Sequence, residues 1–222
     1  MVMKKVVLIG AGAQGRETAD ILLSQPEAER DWELLGFVDD NPEGLGVSPS
    51  GAPLLGDFQW LAQNRGLGLS VICCTGDPKA NRALASRARD LGLDFANAVS
   101  PQAVISPQAV IGRGVAVYPG VVISTQARIG DHCILNIGAS VSHDSIMADY
   151  CILNPGARLA GNATLGEGCY LGMGCNVIQG LSIGAWTVVG AGAAVIADLP
   201  AGVTAVGAPA RVIAPAGEAP HE

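Results

Sequence analysis

The chain has 222 residues, of which 49% are hydrophobic and only 4% aromatic, and it contains 30 glycines. This composition is too hydrophobic for intrinsic disorder, and it indicates a core of small and aliphatic side chains joined by tight turns. The formal net charge of −7 and the pI near 4.9 argue against nucleic-acid binding, which requires a basic surface.

The chain begins with a predicted strand and a glycine-rich turn. The apolar run Val6 to Ile9 is far too short for a signal-peptide core or a membrane span, so we expect a cytoplasmic protein. The predicted strand covers Lys5 to Ile9, and a helical stretch to about Leu23 follows the segment Gly10-Ala11-Gly12-Ala13-Gln14-Gly15. In such a strand–Gly-x-Gly-x-x-Gly–helix unit, backbone N–H groups can meet a phosphate at the helix N-terminus.

Two further strands are predicted, Leu34 to Val38 and Ser70 to Cys74, and both end in polar residues. The first is followed by Asp39-Asp40 and the second by Thr75-Gly76-Asp77-Pro78. Asp77 can cap a helix that has Pro78 at its first position and runs to about Leu91.

These elements predict a Rossmann-like α/β domain of three or four strands over residues 1–98. The glycine loop, Asp39, Asp40 and Gly76 should lie together at the carboxyl ends of its strands, where an acid can contact a ribose. The domain has no room for a second mononucleotide-binding half, which favours one nucleotide over NAD. Alternatively, the glycines only turn a tight corner.

From Pro101 to Ile196 the sequence divides into sixteen consecutive units of six residues without an insertion. The fifth position is apolar in all sixteen units, and the second is glycine in eight, as expected where φ must often be positive. Three units close one triangular coil, with positions three and five inward and position four outward. The repeat predicts a left-handed parallel β-helix over residues 99–213, called the prism below, and a disordered polar tail over residues 214–222.

The six cysteines show no Cys-x-x-Cys spacing. Cys133, Cys151, Cys169 and Cys175 stand at repeat positions that otherwise hold small residues, so we predict that they are buried fillers.

One outward column of the prism is apolar throughout: Ala116, Ile134, Ile152, Tyr170 and Val188. Such a column should not face water. We expect it to pack against two further copies in a homotrimer. The alternative is that the N-terminal domain or the C-terminal tail covers it.

His143 is the histidine that best fits a chemical role, since His221 lies in the tail and His132 occupies a turn position of the repeat. His143 stands at a corner and is followed at once by Asp144, and such a pair can hold one tautomer and accept a proton. Its stacked neighbour one coil later is Gly161, which leaves space above the ring. The alternative is a solvated turn histidine beside a solvated aspartate.

Another corner has few side chains in three successive coils: Asn154-Pro155-Gly156, Gly172-Met173-Gly174 and Gly190-Ala191-Gly192. A strip of this kind lets a long thin ligand, such as a pantetheine arm, approach backbone amides closely. The alternative is that the glycines serve only the conformation of the turns.

The order of these parts resembles the sialic acid O-acetyltransferase (NeuD) family, which includes bacterial nucleotide-linked aminosugar N-acetyltransferases. The resemblance covers nearly the whole chain, and its most specific parts are His143-Asp144 and the closing Gly207-Ala208-Pro209-Ala210-Arg211. It implies trimers, acetyl-CoA as donor and an N-terminal site for a nucleotide-linked amino sugar.

The resemblance also implies roles for individual residues. His143 matches the family's base and Asp144 its carboxylate partner. Ile152 stands where some members carry a second histidine, and Gln14 stands where many have histidine. The expected ligand contacts are Gly10, Gly12, Ala13, Gln14, Asp39, Asp40 and Gly76 for the sugar nucleotide, and Met173, Ala191, Gly172, Gly190 and Arg211 for acetyl-CoA.

The predicted function is acetyl transfer from acetyl-CoA to a sugar amine, with His143 as general base oriented by Asp144 and no metal. One alternative is O-acetylation of a sugar such as a sialic acid. Another is a non-catalytic trimeric scaffold or nucleotide sensor. A carbonic anhydrase of this fold would need three zinc-binding histidines with two closely spaced, and His132 and His143 lack a suitable third.

Overall fold

The computed structural model describes residues 3–41 and 51–216. These residues form two compact units: those up to Pro101 with Arg113–Ala116 form the first, and Gln102–Gly112 with the residues from Val117 to Ala216 form the second. The predicted domain boundary between residues 98 and 99 lies close to Pro101, where the first segment of the N-terminal unit ends. Among the described residues, none of the helices is long and apolar enough to cross a membrane.

The described part of the N-terminal unit consists of β1 Lys4–Ile9, α1 Ala13–Leu23, β2 Trp32–Val38, β3 Leu54–Gly56, α2 Phe58–Asn64, β4 Leu69–Cys73, α3 Pro78–Asp90 and β5 Asp94–Phe95, with 3-10 turns at Glu27–Glu29 and Arg65–Leu67. The strands form a parallel sheet in the order β3-β2-β1-β4-β5, which confirms the Rossmann-like prediction. Five strands are described where three or four were predicted, because the edge strands β3 and β5 are too short to show an apolar period.

The ends of the predicted helices follow from local chemistry. Helix α3 begins as expected, with the Asp77 side chain accepting a hydrogen bond from Ala80 N at 2.8 Å and Pro78 at the first helical position. Helix α1 has Gly12 as its N-cap and no side-chain cap. Gly12 has no side chain that could accept a hydrogen bond from the first backbone N–H groups of the helix.

The prism has the predicted left-handed parallel β-helix fold, with one two-residue strand for each of the sixteen units. These strands lie at positions four and five and pair in parallel, and three sheets form the three faces. The strands of the first face are Ala98–Val99, Ala116–Val117, Ile134–Leu135, Ile152–Leu153, Tyr170–Leu171 and Val188–Val189, followed by Val203–Val206 and Arg211–Pro215. Those of the second face are Val104–Ile105, Val122–Ile123, Ser140–Val141, Arg158–Leu159, Asn176–Val177 and Ala194–Val195, and those of the third are Val110–Ile111, Arg128–Ile129, Ile146–Met147, Thr164–Leu165 and Ser182–Ile183.

Both ends of the repeat differ from the prediction. Strand Ala98–Val99 precedes Ala116–Val117 by one coil, and Ala98 N donates to Val115 O at 2.9 Å. The repeat therefore begins one unit before Pro101. At the other end, strand Arg211–Pro215 pairs antiparallel with Val203–Val206, so Ala214 and Pro215 are ordered by backbone pairing and do not belong to a disordered tail. His221 lies outside the described residues.

The second repeat position has left-handed backbone in almost every unit. Its eight glycines have positive φ, and so do six other residues: Gln126, His132, Asp144, Tyr150, Asn162 and Trp186. Gln102 and Gln108, in the first coil, keep ordinary φ. The composition of this position therefore follows from the corner conformation.

The apolar outward column is only partly exposed in the single chain. Ala116, Ile134 and Ile152 are 2%, 1% and 1% exposed, and Tyr170 and Val188 are half-buried. The expectation that this column needs a second copy to cover it is therefore wrong for its first three members. The four repeat cysteines are buried and free, as predicted for fillers.

The corner conformation predicts opposite effects for two chemically identical substitutions. Gln126→Gly should raise the free energy of unfolding by about 1 kcal/mol, because it relieves a left-handed non-glycine residue at φ 58°. Gln108→Gly relieves nothing and should lower that free energy by about 0.5–1 kcal/mol. Urea unfolding of both variants measures these changes. If both substitutions changed the free energy of unfolding in the same direction, the explanation by corner conformation would be contradicted.

Candidate functional site

A cleft of about 320 Å³ lies at the carboxyl ends of β1, β2 and β4, where the sequence placed the nucleotide site. Its wall combines apolar side chains with glycine backbone and polar groups from the strand ends. The lining residues are Ile9, Gly10, Gly12, Val38, Asp39, Asp40, Asn41, Phe58, Cys74, Thr75 and Leu84.

Asp39 fixes the glycine loop. One carboxylate oxygen accepts from Ala11 N at 2.8 Å, and the other accepts from Asn41 N at 2.9 Å. The carboxylate therefore joins the turn after β1 to the turn after β2. This organises the loop from within the protein, a role that the sequence pattern did not indicate.

Asp40 connects two helices at the rim of the cleft. Its Oδ1 accepts from Phe58 N at 2.9 Å at the start of α2, and its Oδ2 pairs with Arg87 Nη1 of α3 at 2.7 Å. The Arg87 guanidinium also lies over the Phe58 ring, 3.8 Å from its centroid. The hydrogen bond from Arg87, followed by that from Phe58 N, holds the pKa of the Asp40 carboxyl below its usual value.

The three glycines of the loop have different reasons to be glycine. Gly10 has φ 105°, a conformation that side chains disfavour. A Cβ on Gly15 would collide with the carbonyl oxygen of Gly10. A Cβ on Gly12 would meet nothing within 4 Å, and Gly12 lines the cleft. The first and third glycines shape the turn, whereas the second leaves space for a ligand.

Some predicted contacts do not line the cleft. Ala13 and Gln14 belong to the first turn of α1, and Gly76 is exposed in the loop before α3. The sequence reasoning missed Phe58, Leu84 and Arg87. Phe58 could have been found from Asp57, which can start a helix and whose side chain accepts from Gln59 N at 3.0 Å. For Leu84 and Arg87, the sequence offered only their positions on the helix that begins at Pro78.

A second arrangement of chemical interest lies on a corner of the prism. His143 Nδ1 is 2.8 Å from Asp144 Oδ2, and both side chains are about half exposed. Asp144 has φ 60°, which an aspartate tolerates better than most residues. With Nδ1 bonded to the carboxylate, Nε2 is the nitrogen that can accept a proton.

The backbone around His143 is bonded to the neighbouring coils. Asp144 N donates to Thr125 O at 3.2 Å, and Asn162 N donates to His143 O at 3.0 Å. The Ser145 hydroxyl is buried and donates to Ala160 O at 2.9 Å. The histidine therefore projects from a corner whose backbone is hydrogen-bonded to both neighbouring coils.

The glycine corner is less open than expected. Added Cβ atoms on Gly172 and Gly190 would lie 2.6 Å from Ala191 N and 2.8 Å from Val206 Cγ1 respectively, so both glycines are required by packing between coils. Met173 is 59% exposed and Ala191 is also exposed at this corner. The strip that a ligand could use is therefore formed by Met173, Ala191 and the neighbouring exposed glycines.

Three other residues singled out from the sequence have defined surroundings. His132 is buried, and its ring stacks on Tyr150 with centroids 5.1 Å apart and an angle of 7° between planes. It is therefore a packed corner residue. Ile152, in place of a second histidine, is buried within the chain. The Arg211 guanidinium donates to Ala210 O at 2.9 Å.

The thiols offer no reactive group among the described residues. Burial raises the pKa of Cys74, which lines the cleft, to about 12 and that of Cys175 to about 12. In residues 3–41 and 51–216, no group of three or more histidine, cysteine or acidic side chains is arranged to hold a metal ion.

The chain is similar to several proteins of known structure. Residues 5–88 match the PglD N-terminal domain family. PerB from Caulobacter crescentus, solved with CoA and GDP-perosamine, is 39% identical over 94% of this chain and 97% of its own, with a TM-score of 0.86. The acetyltransferase domain of PglB from Neisseria gonorrhoeae, solved with acetyl coenzyme A, is 29% identical over 95% of this chain and 100% of its own, with a TM-score of 0.87.

WeeI from Acinetobacter baumannii is 26% identical over 95% of this chain and 100% of its own, with a TM-score of 0.84. No curated protein sequence matches the chain significantly. A Rossmann-like domain followed by this prism defines an acetyl-CoA-dependent sugar acetyltransferase, as predicted. The chain belongs to the sugar N-acetyltransferase family that includes the GDP-perosamine N-acetyltransferase of Caulobacter.

The open position of Gly12 predicts a selective loss of nucleotide binding. Gly12→Val should weaken sugar-nucleotide binding, because the new side chain projects into the cleft, while acetyl-CoA binding stays unchanged. Gly15→Ala is the contrasting variant, since its Cβ meets the Gly10 carbonyl and should lower the melting temperature. Calorimetric titration checks both ligands, and equal loss of both with Gly12→Val would count against separate sites.

The Asp40–Arg87 pair predicts a pH-dependent contribution to stability. Because the folded carboxyl has a pKa below its ordinary value of 3.8, the pair stabilises the fold above that pH. The contribution should disappear as the pH falls through the lowered pKa. Arg87→Met should therefore cost at most about 1 kcal/mol at neutral pH, since both side chains are half exposed, and less in acid.

Urea unfolding over a pH series measures this difference. In an Asp40→Asn background, Arg87→Met should have an effect that no longer varies with pH. A pH-dependent effect that survives in that background would assign it to another acid.

Proposed function

We propose that this chain transfers the acetyl group of acetyl-CoA to the amine of a nucleotide-linked amino sugar, with His143 as the general base. The observation that carries the proposal is the His143–Asp144 pair, which is accessible and fixed at a bonded corner. Asp144 orients the imidazole and stabilises its protonated form, the same role that the aspartate has in a Ser-His-Asp triad.

The chemistry follows from this tautomer. His143 Nε2 accepts a proton from the sugar amine as its nitrogen attacks the thioester carbonyl. The carbon–sulfur bond breaks, the CoA thiolate leaves and takes the proton from the His143 imidazolium to become the CoA thiol, and an amide remains on the sugar. A general base of this kind contributes about 10²–10⁴-fold to the rate.

The N-terminal cleft is the proposed site of the nucleotide. The open side of Gly12 and the N–H groups at the start of α1 suit a diphosphate. The face of the cleft formed by Phe58, Leu84 and Val38 suits the base or ribose. PerB was solved with GDP-perosamine, so a GDP-linked 4-amino sugar is the first substrate to test.

The donor is proposed to lie along the prism corner that presents Met173 and Ala191, with Arg211 toward the CoA phosphates. The exposed thioether of Met173 supports this placement, because an unbranched apolar side chain suits a flexible pantetheine arm. Gly172 and Gly190 would contribute only the shape of the corner.

O-acetylation of a sugar such as a sialic acid is the second candidate, and it is favoured by the resemblance to that family. The same base would then accept a hydroxyl proton. Mass spectrometry of products from nucleotide-linked 4-amino sugars and from free sialic acid distinguishes the two reactions. A non-catalytic scaffold would form no product, and acetyl-CoA would not raise its melting temperature.

A cytoplasmic location of the protein stays a prediction.

The proposed base makes a specific kinetic prediction. His143→Ala and His143→Asn should both lower kcat by about 10²–10⁴-fold, because neither side chain accepts a proton from the amine. Asp144→Ala should cost less, since it orients the ring without taking the proton. Steady-state kinetics and calorimetric binding of both ligands provide the measurements.

His132→Ala is not a neutral control, because this ring is buried against Tyr150. His132→Phe keeps the stack and is expected to keep activity. Near-normal turnover of His143→Asn would show that the ring is not the base, and proximity of amine and thioester would then account for catalysis.

The assembly is proposed to be a homotrimer, but through a different surface from the column first expected. Val104 and Val122 pair on the second face and are 65% and 41% exposed. Val122→Asp should therefore give monomers in sedimentation velocity experiments, because it would place an unpaired charge in the contact. Ile134→Lys would test folding instead, since Ile134 is buried within the chain. A monomeric wild type would contradict the trimer.

A further inference from the structure

The imidazole of His143 lies against the backbone of the next coil at Gly161. A Cβ atom on Gly161 would be 2.6 Å from both Cε1 and Nε2 of His143 and 3.2 Å from Cδ2. These three ring atoms would be the nearest neighbours of the added Cβ. Non-bonded carbon atoms pack at about 3.5–4.0 Å, so any side chain at position 161 must displace the ring by roughly 1 Å.

The fold itself does not require glycine at this position. Gly161 occupies the first position of its repeat unit, where the other fifteen units carry larger residues such as Pro155 and Glu167. Its φ is outside the left-handed range. By contrast, a Cβ on Gly166 or Gly184 would meet backbone of the following turn, as expected for glycines that the packing of coils demands.

The two backbone segments cannot separate to relieve such a contact. Asn162 N donates to His143 O at 3.0 Å on one side. On the other, the buried Ser145 hydroxyl donates to Ala160 O at 2.9 Å and accepts from Ala163 N at 3.4 Å. The half-exposed imidazole is therefore the group that must move.

We propose that Gly161 is a positioning residue for the acetyl transfer, because its missing side chain leaves the place in which the proton-accepting end of His143 lies. This inference rests on the proposed role of His143 as base. Asp144 holds the ring at Nδ1, and Gly161 sets the place of Cε1 and Nε2 at the opposite end. Together they fix where Nε2 meets the substrate amine.

Gly161→Ala tests the proposal. We expect kcat to fall by about 10²-fold, since an error of 1 Å in a reacting group can cost that much. The KM values for acetyl-CoA and the sugar nucleotide should not change, and the NMR signals of the His143 ring should shift while those of the other two histidines stay in place. Gly66→Ala is the control and should leave kcat unchanged. Gly66 also has ordinary φ, and a Cβ atom there would meet nothing within 4 Å.

A double-mutant cycle separates this inference from the function on which it rests. In a His143→Ala background, Gly161→Ala should cause no further loss of kcat, because the ring through which it acts is gone. If His143→Ala keeps its activity, the proposed base is wrong. If His143→Ala is impaired but Gly161→Ala is as active as the wild type, only the positioning role is overturned.

The same double-mutant cycle remains informative if Gly161→Ala destabilises the protein. A melting temperature that Gly161→Ala lowers and that His143→Ala restores would support the contact between Cβ and ring. A melting temperature lowered equally in both backgrounds, or a further loss of kcat in the His143→Ala background, would overturn the proposal.

Discussion

Hydrogen bonding between coils that are 18 residues apart is the interaction on which the prism depends. Ile134 N donates to Cys151 O and Ile152 N to Cys169 O, and comparable bonds join coils throughout the prism. At fourteen of the sixteen corners a left-handed residue at the second position provides the turn that brings the next strand into register. Six non-glycine residues therefore keep positive φ, each at a cost of roughly 1–2 kcal/mol. Regular pairing between coils offsets this local strain.

The same register creates the candidate catalytic corner. Stacking by 18 residues places Gly161 directly beside His143, and the left-handed conformation of Asp144 accompanies the 2.8 Å contact between its carboxylate and the imidazole. In the N-terminal unit a different constraint gives a comparable result. Parallel strands end at one edge, so Asp39 and Asp40 reach loops and helices that are distant in the chain. In both units, acidic side chains beside a turn fix the geometry of another group.

The repeat could be predicted because its period is strict and its fifth position is apolar in every unit. The Rossmann-like unit was predictable from β1, β2 and β4, whereas β3 and β5 were too short to show a period. Burial of Ile134 and Ile152 could not be predicted, because the outward direction of a side chain does not reveal what covers it. The role of Phe58 and Arg87 was also hidden, since it depends on how α2 and α3 approach Asp40 in three dimensions. Similarly, composition alone did not distinguish glycines that pack coils, such as Gly172, from glycines that leave space.

The buried cysteines of the chain can be used to measure local unfolding. The Sγ atoms of Cys133, Cys151 and Cys169 donate to carbonyl oxygens 15 residues later, at 3.2, 3.1 and 3.2 Å, and all six thiols of the chain are buried. A thiol reagent can therefore reach them only when the protein opens. Because Cys73 and Cys74 belong to the N-terminal unit and the other four to the prism, peptide-resolved alkylation rates measure the opening of each unit separately. The native chain thus carries site-specific probes of local unfolding without any engineered label.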